Sequence, residues 1–136
     1  MATVQVRYIV NDVDAATGFY CQHLGFTEVM RDSPRFAMLT RGDLRLVLSP
    51  PGGHNVGGGS TLPDGRTPEP GGWNRFAVEV VELGETVERL RKAGVRFRSD
   101  IIQGVGGNQA LAEDPSGNPI ELFQPLRPEA RLTPST

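Results

Sequence analysis

Apolar residues fall at every second position in Val4–Val10, where Val6, Tyr8 and Val10 alternate with Gln5 and Arg7. That period predicts a strand with two chemically different faces. From Val13 the interval lengthens: Val13, Ala16, Phe19, Tyr20 and Leu24 recur at helical spacing, behind Asp12 as a cap and ahead of Gly25 as a left-handed terminator. This predicts a helix. Three strand candidates follow, Phe26–Arg31, Arg35–Thr40 and Leu44–Ser49, the last two joined through the Arg41-Gly42-Asp43 turn.

The same order then repeats, offset by the separation of Gln5 from Arg75. Arg75–Val81 alternates Phe76, Val78 and Val80 against Arg75 and Glu79. Leu83, Val87, Leu90 and Ala93 mark a helix that ends at Gly94, with Arg89, Arg91 and Lys92 favouring its C-terminal dipole. Val95–Arg98, Gln109–Glu113 and Pro119–Gln124 complete the set, and Asp114-Pro115-Ser116-Gly117-Asn118 supplies the turn between the last two. The pattern therefore predicts an α+β chain of two tandem βαβββ modules, residues 1–49 and 73–125. Between them runs a Gly/Pro-rich linker loop, 50–72, and a flexible tail, 126–136, follows.

Length and charge narrow the classes. A chain of 136 residues holds one domain or two half-domains sharing a core. A net charge of −2 with scattered Lys and Arg gives no footprint for nucleic acid. Cys21 is the only cysteine, so neither an intrachain disulfide nor a Cys-rich zinc cluster is available. No apolar stretch reaches signal-peptide or membrane-spanning length, and a cytoplasmic protein is the expectation.

Two motifs sharpen the picture. Val6–Phe26, with Asn11-Asp12-Val13-Asp14 and Phe19-Tyr20 ahead of Leu24-Gly25-Phe26, resembles the opening of a vicinal oxygen chelate module. This is the glyoxalase/bleomycin resistance protein/extradiol dioxygenase type. Glu113-Asp114-Pro115-Ser116-Gly117-Asn118-Pro119-Ile120-Glu121-Leu122 is similar to that family's closing hairpin. The resemblance implies an open, cupped, barrel-like sheet around a small-molecule cavity, with the helices outside and a homodimer as the expected assembly. Members include metal-dependent lyases, isomerases and dioxygenases as well as proteins that sequester antibiotics, so the fold leaves function open.

Metal-dependent members take one ligand from the first and one from the last strand of each module. The resemblance carries those positions onto Gln5, Val47, Arg75 and Glu121. Glu121 is an ordinary carboxylate ligand and Gln5 a permissible oxygen donor, but Val47 has no donor atom and Arg75 keeps its proton and repels a cation. The usual metal centre is therefore not expected. A carboxylate facing a cavity needs a partner, and Arg75 is expected to supply the positive charge, with a two-pronged contact to Glu121 and Gln5 nearby. Alternatively, the pair simply rigidifies the pocket floor. Arg7 shares a strand face with Gln5, and reads equally as a ligand contact or a solvent-exposed residue. Phe36, Met38 and Trp73 are candidates for the apolar wall, Trp73 for stacking on a planar ring; core packing is the competing reading for each.

His23 reads as a capping residue, Cys21 as an inert thiol, and His54 as a loop residue able to swing over the cavity. The ligand-binding set is thus Gln5, Arg7, Phe36, Met38, Val47, Trp73, Arg75 and Glu121, with no cofactor. The function it supports is binding of a small amphipathic organic molecule, an antibiotic among the possibilities. One alternative is a lyase, isomerase or dioxygenase holding a divalent metal through Gln5, Glu121 and a third donor such as His54. The other is a metal-free enzyme with Glu121 as general base.

Overall fold

The computed structural model describes residues 2–52 and 57–132. By its internal contacts the chain divides into two compact units. One is built from the chain up to Gly72 together with Pro115–Asn118, the other from Trp73–Asp114 and the chain from Pro119 on.

In the first unit, β1 (Val4–Ile9), α1 (Val13–His23), β2 (Thr27–Asp32), β3 (Phe36–Arg41) and β4 (Leu44–Ser49) follow the predicted order. The sheet order is β1-β4-β3-β2, with β1 parallel to β4 and the other pairs antiparallel. The Asp12 carboxylate accepts from the Ala15 N–H at 3.0 Å, a cap that contributes about 1 kcal/mol. Gly25, at φ 72°, provides the left-handed exit. Helix α1 packs on the sheet face that carries Tyr8, Ala37, Leu39, Leu46 and Leu48, all buried. Tyr20, wholly buried, meets Phe19, Phe26 and Tyr8 edge-on at centroid separations of 5.0, 5.6 and 6.5 Å. Ala37 and Leu39 thus belong to the core, and Phe36 and Met38 point the other way.

Beside this core, on the surface, Asp14 accepts from Arg31 and Ser33 at 2.9 Å each. The Arg31 guanidinium, then the Ser33 hydroxyl, hold the Asp14 carboxyl below its ordinary value of 3.8. A depressed folded-state pKa stabilises the fold above the unfolded value and loses that effect as pH falls through the folded one. Asp14→Asn is therefore expected to lower Tm slightly at neutral pH. The difference from the parent should close on acidification below 3.8; a gap that persists in acid would contradict the assignment.

The second unit holds β5 (Ala77–Glu79), α2 (Leu83–Lys92), β6 (Ile102–Gln103), β7 (Gly107–Glu113) and β8 (Pro119–Pro125), ordered β5-β8-β7-β6. Val78, Ala110, Ala112, Ile120 and Leu122 face α2 and are buried with its Leu83, Val87 and Leu90. Glu82 provides no side-chain cap to α2; the Gln124 side chain instead accepts from the Leu83 N–H at 2.9 Å.

Two expectations are corrected here. The strand predicted at Arg75–Val81 shrinks to Ala77–Glu79, because Arg75 leaves the ladder once Phe76 has accepted from the Glu121 N–H. Val95–Arg98 makes only a bridge, Phe97 to Ala112, since the Ser99 hydroxyl rather than a strand carbonyl takes the Leu111 N–H. The edge strand lies instead at Ile102–Gln103. In the tail, the Leu126 N–H donates to the Gly106 carbonyl and the Leu132 N–H to the Glu79 carboxylate.

Candidate functional site

Strand alternation and register place five of the anticipated residues on one surface of the first unit, the sheet face turned away from α1. Gln5 pairs with Arg45, Arg7 with Val47, Ile9 with Ser49, and Met38 with Val47. Phe36 lies on the same face, two residues before Met38. Val47 is 5% exposed, so it is floor rather than contact surface. Gln5 Oε1 accepts from Arg45 Nη1 at 3.4 Å, and Arg7 Nη1 donates to the buried Ser49 hydroxyl at 2.7 Å. Arg7 is therefore held across the sheet.

The linker reaches this face. A short 3-10 turn, Gly57–Gly59, lies against β1, and a Cβ on Gly58 would fall on the Arg7 side chain, while one on Gly59 would meet the Pro50 carbonyl. An arginine stem can swing aside; a backbone carbonyl cannot. Gly59→Ala is thus expected to cost about 1–3 kcal/mol, and Gly58→Ala clearly less, in urea unfolding. Equal costs would contradict this packing. His54 lies outside the described residues.

The second unit carries the remaining three candidates on its own sheet face away from α2. Ala77 pairs with Glu121, and Leu111 lies opposite Glu121 on β7. Arg75, two residues before Ala77, turns its guanidinium onto the carboxylate. Nε and Nη2 both donate to Glu121 Oε1, at 3.2 and 3.0 Å, and Nη1 donates to the Trp73 carbonyl at 3.3 Å. Two guanidinium nitrogens thus converge on one carboxylate oxygen. The side chains are 26% and 19% exposed, so solvent screens the pair only partly.

Sequence reasoning missed three members of this cluster, Arg96, Arg98 and Glu113. Arg98 Nε donates to Glu113 Oε2 at 2.8 Å, and its guanidinium carbon lies 4.6 Å from the Trp73 ring centroid. Arg96 approaches the same carboxylate at 3.8 Å. The available signal was parity: Glu113 shares the face of Leu111 and Gln109, and Arg96 alternates with Arg98.

The donor set does not fit the divalent cation that the family's metal-dependent members hold. Gln5 Oε1 faces a guanidinium, Val47 offers no donor, Arg75 is a cation, and Glu121 is clasped by it. Among the described residues, no group of three or more His, Cys, Asp or Glu side chains is placed to share a metal ion. Burial, with the Glu28 charge adding to it, pushes the Cys21 thiol up, which keeps it protonated and unreactive. His23 ends α1 edge-on to Phe19 at 5.6 Å. A cleft of about 520 Å³ in the second unit, among Glu79, Val81, Leu126, Arg127 and Arg131, is lined by none of the anticipated residues.

The sequence signature of the Glyoxalase/Bleomycin resistance protein/Dioxygenase superfamily matches residues 3–122. No curated protein matches the chain. Among solved structures, it is similar to a lactoylglutathione lyase from Agrobacterium tumefaciens, with TM-score 0.70 and 20% identity over 90% of this chain and 92% of that one. A superfamily member from Sphaerobacter thermophilus DSM 20745 gives TM-score 0.69 and 26% identity, covering 91% and 98%. TnmS3, an antibiotic binding protein from Streptomyces sp. CB03234, gives 0.66 and 23%, covering 92% and 97%.

Proposed function

From the premise that the chain belongs to the Glyoxalase/Bleomycin resistance protein/Dioxygenase superfamily over residues 3–122, we propose that it is a binding protein for a small amphipathic organic molecule and works without the family's metal. One observation carries this reading: the Arg75 guanidinium clasps Glu121 at 3.0 Å. These are two of the four positions from which metal-dependent relatives draw their ligands. A fixed cation there compensates the carboxylate and offers N–H groups to an acceptor on a ligand. Phe36 and Met38 in the first unit, and Trp73 in the second, each supply apolar surface of the kind that organic ligands bury.

The reading fits a fold shared with an antibiotic binding protein as well as with a lyase. The Glu121 carboxylate, the candidate base, is engaged through Oε1 by two guanidinium nitrogens. A cytoplasmic homodimer is the accompanying proposal. No helix among the described residues is long and apolar enough to cross a membrane.

The test is a thermal-shift screen of amphipathic organic compounds, with antibiotics included. A compound that raises Tm should be recovered chemically unchanged after prolonged incubation with the protein. Its conversion, with or without added metal, would reject pure binding.

A further inference from the structure

We infer that the second unit presents a cation-backed aromatic platform, Trp73 stacked on Arg98, that selects a planar aromatic ring bearing one negative charge. This deepens, and rests on, the binding reading above.

Trp73 is the sole tryptophan and is 68% exposed, a costly place for so large an apolar group unless something covers it in use. Its position is nonetheless held. Arg98 lies 4.6 Å from the ring centroid, and its own side chain, 16% exposed, is fixed by Glu113. Arg75, two residues on, binds the Trp73 carbonyl through Nη1 while its Nε and Nη2 hold Glu121. One side of the indole thus meets a guanidinium, and the exposed surface is available to a second ring.

The chemistry of the platform sets the ligand class. A guanidinium against an aromatic face draws on the ring's π density, so the opposite face favours an electron-rich or anionic ring over an electron-poor one. The charges agree. The cluster of Arg75, Arg96, Arg98, Glu113 and Glu121 carries three cations and two carboxylates, and one anionic group balances it. Of the five N–H groups on a guanidinium, the bonds of Arg75 to Glu121 and Trp73 use three, and with respect to the described residues two remain for a carboxylate or phenolate. Aromatic carboxylates and phenolates are the indicated class; saturated or neutral molecules of the same size satisfy only part of the site.

With a single tryptophan, the indole N–H gives one resonance in a ¹H–¹⁵N spectrum that reports directly on the platform. Three probes separate its parts: 2-naphthoate, 2-naphthalenemethanol and cyclohexanecarboxylate. 2-Naphthoate should move the resonance saturably, and the other two should bind at least about 5-fold more weakly. Arg98→Gln should weaken 2-naphthoate by about 5-fold, with Arg98→Lys intermediate, and Arg75→Gln should abolish the preference for 2-naphthoate over the alcohol. Circular dichroism establishes that each variant is folded; should an Arg98 variant not fold, Trp73→Leu, which keeps both arginines and is read by calorimetry, must lose the preference for 2-naphthoate over cyclohexanecarboxylate.

Equal binding of cyclohexanecarboxylate, or an indole resonance unmoved by 2-naphthoate, would overturn the platform. So would a resonance that moves with protein concentration as it does with probe, because a second copy would then be what covers Trp73. Calorimetric binding of any compound with the indole unmoved would sink the platform and leave the broader binding reading standing. Failure of every compound in the thermal-shift screen would remove both.

Discussion

Asn118→Leu is expected to lower the stability of the protein by about 2–6 kcal/mol, the sum of two unmet backbone groups at about 1–3 kcal/mol each. Asn118 is 4% exposed and spends both ends of its amide on main chain. Nδ2 donates to the Ile9 carbonyl at 2.7 Å, and Oδ1 accepts from the Gly71 N–H at 2.7 Å. The residue thereby joins the end of β1 to the end of the linker within the first unit. Leucine keeps the volume and withdraws both partners. Asn118→Asp keeps the acceptor only, so it should retain the Gly71 contact and lose the Ile9 one. Ser116→Ala removes one exposed bond, from the Asn11 N–H at 2.8 Å, and should cost less than either. Urea midpoints rank the three; a loss below about 1 kcal/mol for Asn118→Leu would contradict the role given to the amide.

The second large effect is at Arg75. Arg75→Ala is expected to cost about 1–3 kcal/mol, because the Glu121 carboxylate, 19% exposed, is left with its charge uncompensated. Glu121→Leu should cost a similar amount by stranding the guanidinium. Replacing both residues with leucine removes the two charges together, and the double variant should lie within about 1 kcal/mol of the parent. That non-additivity separates a coupled pair from two independent surface charges. The functional readout moves differently. The double variant should bind an acceptor-bearing ligand no better than Arg75→Ala, since neither presents the guanidinium. Full affinity in the double variant would show that the pair only stiffens the sheet.

Much of the fold was legible because its signals are local. The three-four spacing of Val13, Ala16, Phe19 and Tyr20 is a helix face, and Asp12 caps it as its side-chain chemistry requires. The strand of Leu44–Ser49 falls at its predicted bounds. The β6 edge, by contrast, is two residues long with both positions exposed, too short to show alternation. Near Val95–Arg98 the chain reads as strand, but Ser99 offers a competing side-chain bond to Leu111, and no periodicity reveals that.

The candidate site divides in the same way. Strand parity places Gln5, Arg7, Phe36, Met38 and Val47 on one face, and the internal repeat sets Arg75 beside Glu121. What spacing does not carry is which partner a long side chain finds. Gln5 turned to Arg45, Arg7 to Ser49, and Trp73 to Arg98. Each of these contacts depends on the rotamers of long side chains, and the Arg98–Glu113 pair behind Trp73 was invisible for that reason. In the tail, the Leu132 N–H donates to the Glu79 carboxylate at 2.7 Å, a partner that spacing does not carry either.

The central claim is that a guanidinium stands where metal-dependent relatives of this fold keep an ion. Metal analysis after equilibrium dialysis against nickel, zinc, manganese and iron, followed by dialysis into metal-free buffer, addresses it most directly. The account predicts protein essentially free of metal, with the Tm of parent and Glu121→Gln unmoved by any of the four ions. One equivalent of metal retained by the parent and lost in Glu121→Gln would contradict it.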